Sequence, residues 1–453
     1  MNWVLVYQIL SRKSEGGGLP PIAVKIAVML SGQLHFFMKV NLVVELSDSH
    51  LPAHQVSSQR QICLSLRAEG EAAGRLPLNL CLVLDRSGSM QGRPLETVKE
   101  AALSFLDVLG PQDRLAVVAF DHRAQVIIAN QEPQQGALLL QKIKGLKASG
   151  GTAIDEGMKL GIQETAVAKQ ERISQMLVLT DGENEHGDNE RCLKLAQVAA
   201  DYGITVHTLG FGSNWNQDVL EAIADRAQGS LNYIEQPEDA LGIFSQLLKR
   251  AQSVGLTNAY LLLKLIPQVR LAELKPVAQV EPETIDLVLE PTQEENSFRL
   301  KLGDLMTEPP RVILLNLYLN ALPPGQHTIG EVQVSYDDPG LGSVGELSPA
   351  VPLLVEVQTD SEYQPQTNPQ VQKAILTLAK YRQTQIAETK LRQGDRSGAA
   401  TMLQTAAKTA LQLGDRGGAT VLQTNATRLQ AGEELSEADR KKTRLVSKTT
   451  LQG

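Results

Sequence analysis

Residues 79–90 read NLCLVLDRSGSM: a near-continuous apolar run over 80–84, then at once an Asp-x-Ser-x-Ser pattern. Such a run suits a strand buried on both faces, as in a parallel sheet covered by helices. Two later pieces can complete the pattern, Gly151-Thr152 and Thr180-Asp181-Gly182, each at an expected strand end or strand-to-helix loop. Asp85, Ser87, Ser89, Thr152 and Asp181 are therefore expected to converge on one edge of the sheet. Open α/β sheets bind ligands there, beyond the carboxyl ends of their strands. Five small oxygen ligands at such an edge describe a divalent-cation site.

A hard cation such as Mg²⁺ wants near-octahedral oxygen ligands and takes few carboxylates, keeping other positions for water or a foreign ligand. Two Asp and three hydroxyls supply that mixture. Little protein charge leaves the metal electrophilic, able to accept a partner's carboxylate at an open position. Each fragment also has a plainer reading. Ser89 could cap a helix starting near Gly92, residues 152–155 fit a capping box, and Asp181-Gly182 could be an ordinary turn. Their joint occurrence, each at the mouth of its own strand, favours the site.

DRSGSM, GGT and LTDGE resemble the three parts of the metal-ion-dependent adhesion site (MIDAS) of von Willebrand factor type A (VWA) domains, over about residues 78–250. The resemblance implies a Rossmann-like domain in a bacterial stand-alone protein. It implies that Asp85, Ser87, Ser89, Thr152 and Asp181 hold Mg²⁺ (or Mn²⁺/Ca²⁺), that a protein partner supplies an Asp or Glu to the metal, and that the chain is not an enzyme.

Periodicity supports the fold independently. Residues 80–84, 115–120 and 176–179 read as buried strands, and 95–109, 154–168 and 193–202 as helices with apolar residues three and four apart. That alternation gives a doubly wound α/β fold. Residues 121–123 leave no room for a crossover helix, so 124–129 should be an antiparallel edge strand. Strand-like alternation flanks this segment. Two strands before it and about six after it suit one antiparallel β-sandwich with the α/β domain inserted. Beyond residue 368, the similar pieces LRQGDRSGAATMLQ and LQLGDRGGATVLQ place Gly-Asp pairs at 394–395 and 414–415, where a helix C-cap meets the next N-cap. The expected layout is an N-terminal extension at 1–37, a sandwich at 38–77 and 253–360, the VWA domain at 78–252, a helical bundle at 368–432 and a polar basic tail at 433–453.

A chain of 453 residues needs two or three domains. Its net charge of -8, without a long Lys/Arg block, argues against nucleic acid as partner. Cys63, Cys81 and Cys192 show no CxxC spacing and read as small core residues in a reducing, cytoplasmic compartment. Neither apolar run in residues 1–37 is long enough to span a bilayer. Arg12 and Lys13 precede an apolar stretch, as in a degraded signal peptide, although no small-x-small cleavage site stands out before Met38; the other reading is that Met38 is the start, since strand-like alternation begins there.

Other chemistry is mostly excluded. No P-loop and no GxSxG elbow occurs. Gly210-Phe211-Gly212 reads as a turn, and Pro52 between His50 and His54 argues against a helical zinc pair. Glu183, Glu185, Asp188 and Glu190 form either a solvated loop or a negative rim that attracts a cation. The competing function is a Mg²⁺-dependent hydrolase or phosphotransferase using the same Asp/Ser/Thr cluster, which would need a nucleophile or base in reach.

Overall fold

The computed structural model describes residues 38–449 apart from 71–74, 134–135, 170–171 and 360. The expectations for residues 1–37, including the start at Met38, lie outside the described residues. Three strands lead the chain, β1 (Lys39–Leu46), β2 (His50–Pro52) and β3 (Ser57–Glu69). An α/β domain follows, with strands β4 (Leu78–Asp85), β5 (Arg114–Phe120), β6 (Ala124–Gln131), β7 (Ile173–Thr180), β8 (Thr205–Phe211) and β9 (Gln228–Ile234). Its helices are α1 (Arg93–Val108), α2 (Gly136–Lys144), α3 (Ile154–Ala166), α4 (Asn189–Asp201), α5 (Gln217–Arg226) and α6 (Ala240–Gln252).

The sheet order is β6-β5-β4-β7-β8-β9. All neighbours run parallel except β5 and β6, whose short connection makes β6 the antiparallel edge expected from residues 121–123. Every residue of β4 and β7 is buried. The pleat sends alternate side chains to opposite faces. Leu80, Leu82 and Leu84 join Phe105 of α1 and Phe244 of α6 in one core. Cys81 and Val83 join Met158 of α3, Ala196 of α4 and Ile223 of α5 in another. Two hydrophobic cores clamp the central strands, so the strand ends become a rigid platform for loops.

The chain then forms β10 (Val254–Leu265), β11 (Val269–Leu271), β12 (Val277–Glu281), β13 (Ile285–Leu287), β14 (Glu290–Pro291), β15 (Ser297–Met306), β16 (Arg311–Asn320), β17 (Gly325–Asp338), β18 (Ser343–Leu347) and β19 (Val351–Gln358). One sheet runs β1-β3-β16-β12-β13 with β11 on β16, the other β14-β15-β10-β17-β19-β2 with β18 on β17. Leu64, Leu66, Ile313 and Leu315 of the first share a core with Leu261, Leu263, Leu300 and Val332 of the second. The α/β domain is inserted between β3 and β10. Two expectations need correction. The second sheet is mixed, because β2 pairs parallel with β19. Among the described residues, three strands precede the insertion and ten follow it; the extra ones, β2, β11, β12, β14 and β18, are two to five residues long and too short to show alternation.

Four helices follow, α7 (Pro369–Arg392), α8 (Arg396–Gln412), α9 (Arg416–Gln430) and α10 (Glu437–Lys448). Val371 and Ala374 of α7 lie on the outer face of the first sheet against Cys63 and Leu314. Further along α7, Ala387 enters a bundle core with Leu403, Leu422 and Val446. The two Gly-Asp pairs act as expected: Gly394 and Gly414 take φ of +81° and +77°, and Asp395 and Asp415 cap α8 and α9 by accepting from the backbone N–H of Gly398 and Gly418. Asp415 also pairs with Lys380 at 2.8 Å, both side chains essentially inaccessible.

The polar tail expected at 433–453 is not a tail over its described part. Residues 437–448 form α10, started by a capping box between Ser436 and Asp439, and Lys441 and Lys448 are buried. The helix docks on α5. Arg444 Nε lies 2.6 Å from Glu221, and Lys448 Nζ lies 2.6 Å from Glu221 and 3.0 Å from Asp225. Lys441 donates to the carbonyls of Ser213 and Trp215 at 2.5 and 2.8 Å, with its ammonium 4.1 Å from the Trp215 ring. Among the described residues, no helix is long and apolar enough to cross a membrane.

Candidate functional site

Asp85 ends β4 and is wholly buried. Because β4 and β7 pair in register through Leu84 and Leu179, Asp85 comes level with Thr180. Its Oδ2 accepts from Thr180 Oγ1 at 2.6 Å, and its Oδ1 accepts from the backbone N–H of Ser87 at 2.7 Å. A 3-10 turn at Gly88–Met90 brings the Ser87 and Ser89 hydroxyls 3.0 Å apart. Ser89 then donates to Asp181 Oδ1 at 2.7 Å. Thr152 Oγ1 completes the group: a Cβ built on Gly182 would lie 3.3 Å from it and 3.9 Å from Ser89 Oγ. The structure thus brings together all five residues singled out from the sequence.

Backbone hydrogen bonds lock the contributing loops to one another. Gly88 N–H donates to Gly150 O at 3.0 Å, Ser149 N–H to Arg86 O at 2.8 Å, and His186 N–H to Thr152 O at 2.9 Å. Asn184 Oδ1 accepts from Ile154 N–H at 2.7 Å. The lack of a side chain on Gly151 lets the His186 ring pack here, since a Cβ on it would fall 2.1 Å from that ring and push it away. Two of the plainer readings, the Ser89 cap and the 152–155 capping box, fail, while 181–182 do form a bend directly after β7. The α1 N-cap is Gly92 and the α3 N-cap is Ala153, neither with a side-chain cap, so Ser89 and Thr152 are left to the site. Asp155 binds Arg191 at 2.8 Å instead of closing a capping box.

Burial pushes the Asp85 carboxyl up to about 6, against the hydrogen bonds from Thr180 and Ser87, and nearby Asp181 adds to the rise. Burial raises Asp181 as well. Two carboxylates held close together, one buried and one half-buried, resist ionisation together. A cation between them would reverse this. The residues present fit such an ion: two carboxylates and three hydroxyls are hard oxygen donors, and among the described residues neither Asp85 nor Asp181 has a cationic side chain as hydrogen-bond or ion-pair partner. Hydroxyls make up three of the five donors, and no group of three or more His, Cys, Asp or Glu able to hold a metal occurs among the described residues.

Several contributors were not expected. Thr180, directly before Asp181, anchors Asp85. Asp121 directly follows the strand beside β4, pairs with Arg86 at 2.9 Å and accepts Ala153 N–H through its carbonyl at 2.8 Å; its place just after β5 was the available signal. Within the acidic loop, Asp188 is the N-cap of α4, accepting from the N–H groups of Glu190 and Arg191, which is a structural duty. His50 lies apart in β2, where its Nδ1 is 2.9 Å from Gln364 O. Cys63, Cys81 and Cys192 are free and buried.

A Rossmann-like α/β domain with this loop constellation at its strand ends is a von Willebrand factor type A domain, and the family model of that name matches residues 79–246. Residues 369–453 match a second model, the Sll0103-like C-terminal alpha-helical domain. The chain belongs to the Sll0103-like family: it is 63% identical over 417 residues to protein sll0103 of Synechocystis sp., covering 92% of this chain and 98% of that protein. Human inter-alpha-trypsin inhibitor heavy chain H3 is 30% identical over 178 residues, which is 36% of this chain and 20% of that one. Among solved structures, a von Willebrand factor type A protein from Catenulispora acidiphila superposes with a TM-score of 0.76 at 19% identity, covering 91% of this chain and 97% of its own. The ArnB paralog VWA2 from Sulfolobus acidocaldarius gives 0.54 at 13%, covering 91% and 100%. At these identities the likeness is one of fold. VWA domains typically mediate protein–protein interaction and commonly bind a divalent metal at the MIDAS.

Proposed function

We propose that this protein is a metal-dependent protein-binding module. Asp85, Ser87, Ser89, Thr152 and Asp181 hold Mg²⁺ or Mn²⁺, with Ca²⁺ as a further candidate, and an Asp or Glu of a partner protein completes the coordination. The observation that carries this reading is the convergence of one buried carboxylate, one half-buried carboxylate and three hydroxyls from separate loops, with no cationic side chain, among the described residues, as partner of either carboxylate. A bound cation would supply the missing positive charge, and hydroxyl ligands leave it enough charge to attract an acidic partner. In this reading the two sheets that share a core form a sandwich carrying the VWA domain as an insert.

A hydrolase or phosphotransferase reading is weaker. It needs a base or nucleophile beside the metal, and Asp188 of the acidic loop is engaged as a helix cap. The chain is accordingly read as a non-enzyme. Burial pushes all three thiols up to about 12, which makes them poor nucleophiles and suits a reducing, cytoplasmic setting.

Calorimetric titration of the full chain with Mg²⁺ and Mn²⁺ tests the site. Wild type should bind, while Asp85→Ala and Asp181→Ala should lose most of the affinity and retain the fold. Unchanged affinity in both variants refutes the site. Partner capture that survives EDTA refutes the metal bridge.

A further inference from the structure

Strand order decides what stands on each side of the metal site. Strand β5 pairs with β4 through Phe120 and Asp85, so the turn 121–123 leaves the sheet directly beside Asp85. The loop before α3 lies against that side: Ser149 N–H donates to Arg86 O at 2.8 Å, Gly88 N–H donates to Gly150 O at 3.0 Å, and a Cβ built on Gly150 would fall 2.5 Å from His122 Nδ1. Strand β7 flanks β4 on the other side. Its loop runs from Asp181 to the start of α4 at Asn189.

The two sides carry opposite charge. On the β5 side Arg123 and Lys147 are exposed, and among the described residues neither side chain has a hydrogen-bond or ion-pair partner. Carboxylates on this side are already neutralised, Asp121 by Arg86 at 2.9 Å and Glu238 by Arg93. On the β7 side Glu183, Glu185 and Glu190 are exposed and equally without a side-chain partner among the described residues. Arg191, which follows them, is taken up by Asp155 and Glu156. Lys441 of α10, which shares a cleft with Glu183, is held by the carbonyls of Ser213 and Trp215.

Where α10 meets α5, the chain pairs its charges. At the metal edge it leaves them free and sorted by sign. Like charges gathered on one loop repel one another, and an oppositely charged surface relieves that repulsion. A carboxylate approaching the metal is repelled over the β7 loop and attracted over the β5 turn. The same arrangement disfavours a uniformly acidic or uniformly basic surface, because one half of the rim then meets its own sign.

We propose that the partner's metal-binding Asp or Glu stands between a basic group, which faces Glu183 and Glu185, and an acidic group, which faces Arg123 and Lys147. This rests on the metal-dependent reading of the site and adds the partner's charge pattern to it. The probes are synthetic peptides with one central Asp, flanked by lysines on one side and glutamates on the other, by lysines on both, or by glutamates on both. Binding to the full chain is read by fluorescence anisotropy in low-salt Mg²⁺ buffer. The bipolar peptide should bind about tenfold more tightly than either uniform one, from exposed charge pairs of ordinary strength. Its advantage should shrink with salt, and its binding should be lost in EDTA or with Asn at the centre.

Charge reversal gives the sharper test. Arg123→Glu with Lys147→Glu should make the lysine-flanked peptide the best binder, and Glu183→Lys with Glu185→Lys the glutamate-flanked one. All four substitutions together should restore the preference for the bipolar peptide, now bound the other way round. If one pair of substitutions fails to fold, the other pair decides. Equal binding of the three peptides overturns the proposal and makes the rim an ordinary solvated face, while the metal site stands. Preferences that do not follow the reversals overturn it too, as does the lack of any Mg²⁺-dependent peptide binding by a chain that calorimetry shows to hold Mg²⁺. If calorimetry finds no Mg²⁺ bound, the metal reading itself falls, and the partner's charge pattern with it.

Discussion

Asp85 should be a liability to the metal-free protein, and Asp85→Asn measures how large. Burial raises its carboxyl from an ordinary 3.8 to about 6. The folded-state value lies above the unfolded one, so the contribution of this group to stability is fully present below about pH 3.8 and is lost as pH rises through about 6. Two pH units at 1.36 kcal/mol each make the loss about 3 kcal/mol at neutral pH. The amide keeps the local hydrogen bonds: its oxygen can accept from Ser87 N–H, and its NH₂ can donate to Thr180 Oγ1, whose own proton is then free to turn to Gly182 O, 3.3 Å away. Urea unfolding followed by fluorescence of Trp215, buried in the same domain, should find Asp85→Asn more stable than wild type in EDTA at pH 7.5. The difference should vanish near pH 4. Mg²⁺ at a hundred times its dissociation constant should return about 2.7 kcal/mol to wild type and nothing to the variant. If Asp85→Asn is no more stable than wild type in EDTA at pH 7.5, burial of the charge is not the dominant cost at this site.

Three further outcomes are expected. Lys380→Met leaves Asp415 buried without its cation and should destabilise the helical region by about 3–5 kcal/mol, with partial recovery on adding Asp415→Asn; thermal melts by circular dichroism would show it, and an unchanged midpoint would contradict it. Lys448→Met leaves Glu221 and Asp225 without an ammonium and should speed amide hydrogen exchange in α5 as well as in α10; acceleration confined to α10 would mean that the docking contributes nothing to α5. Gly151→Ala must push the His186 ring away from the loop that carries Thr152, so Mg²⁺ affinity should fall while the melting midpoint changes little, and calorimetry showing wild-type affinity would disprove the link.

The α/β order was readable because β4, β5 and β7 are buried on both faces, so their apolar runs are unbroken. The five site residues were readable because each stands directly behind such a run or in the loop leading to a helix. Thr180 was part of the 180–182 piece but was given no role, because its bond to Asp85 depends on the register between β4 and β7, which the sequence does not show. Helix α10 was missed for a different reason. Its buried face is made largely of Lys441, Thr443, Ser447 and Lys448, so a search for apolar periodicity finds nothing. The signal lay in a spacing: cations at 444 and 448 and carboxylates at 218, 221 and 225 recur at intervals of three and four, the spacing of one helix face, and the two cations share the three carboxylates between them. Strand β2 was hidden because a three-residue parallel pairing with β19 depends on residues about 300 positions away.

Docking of α10 on α5 closes a loop of contacts through the whole molecule. The α/β domain leaves the two-sheet unit by one chain crossing and returns by another, α7 rests on the first sheet, and the bundle reaches back through α10 to the α/β domain. Three bodies joined pairwise form a truss, in which no single joint can rotate unless another is strained. A pull applied at Asp85 and Asp181 is therefore shared between two routes to the sheets. One is the direct junction, where Gln175 and Thr205 bond Asp304. The other is the path through the bundle, whose Lys448–Glu221 pair is only 7% exposed on each side and so is little weakened by salt.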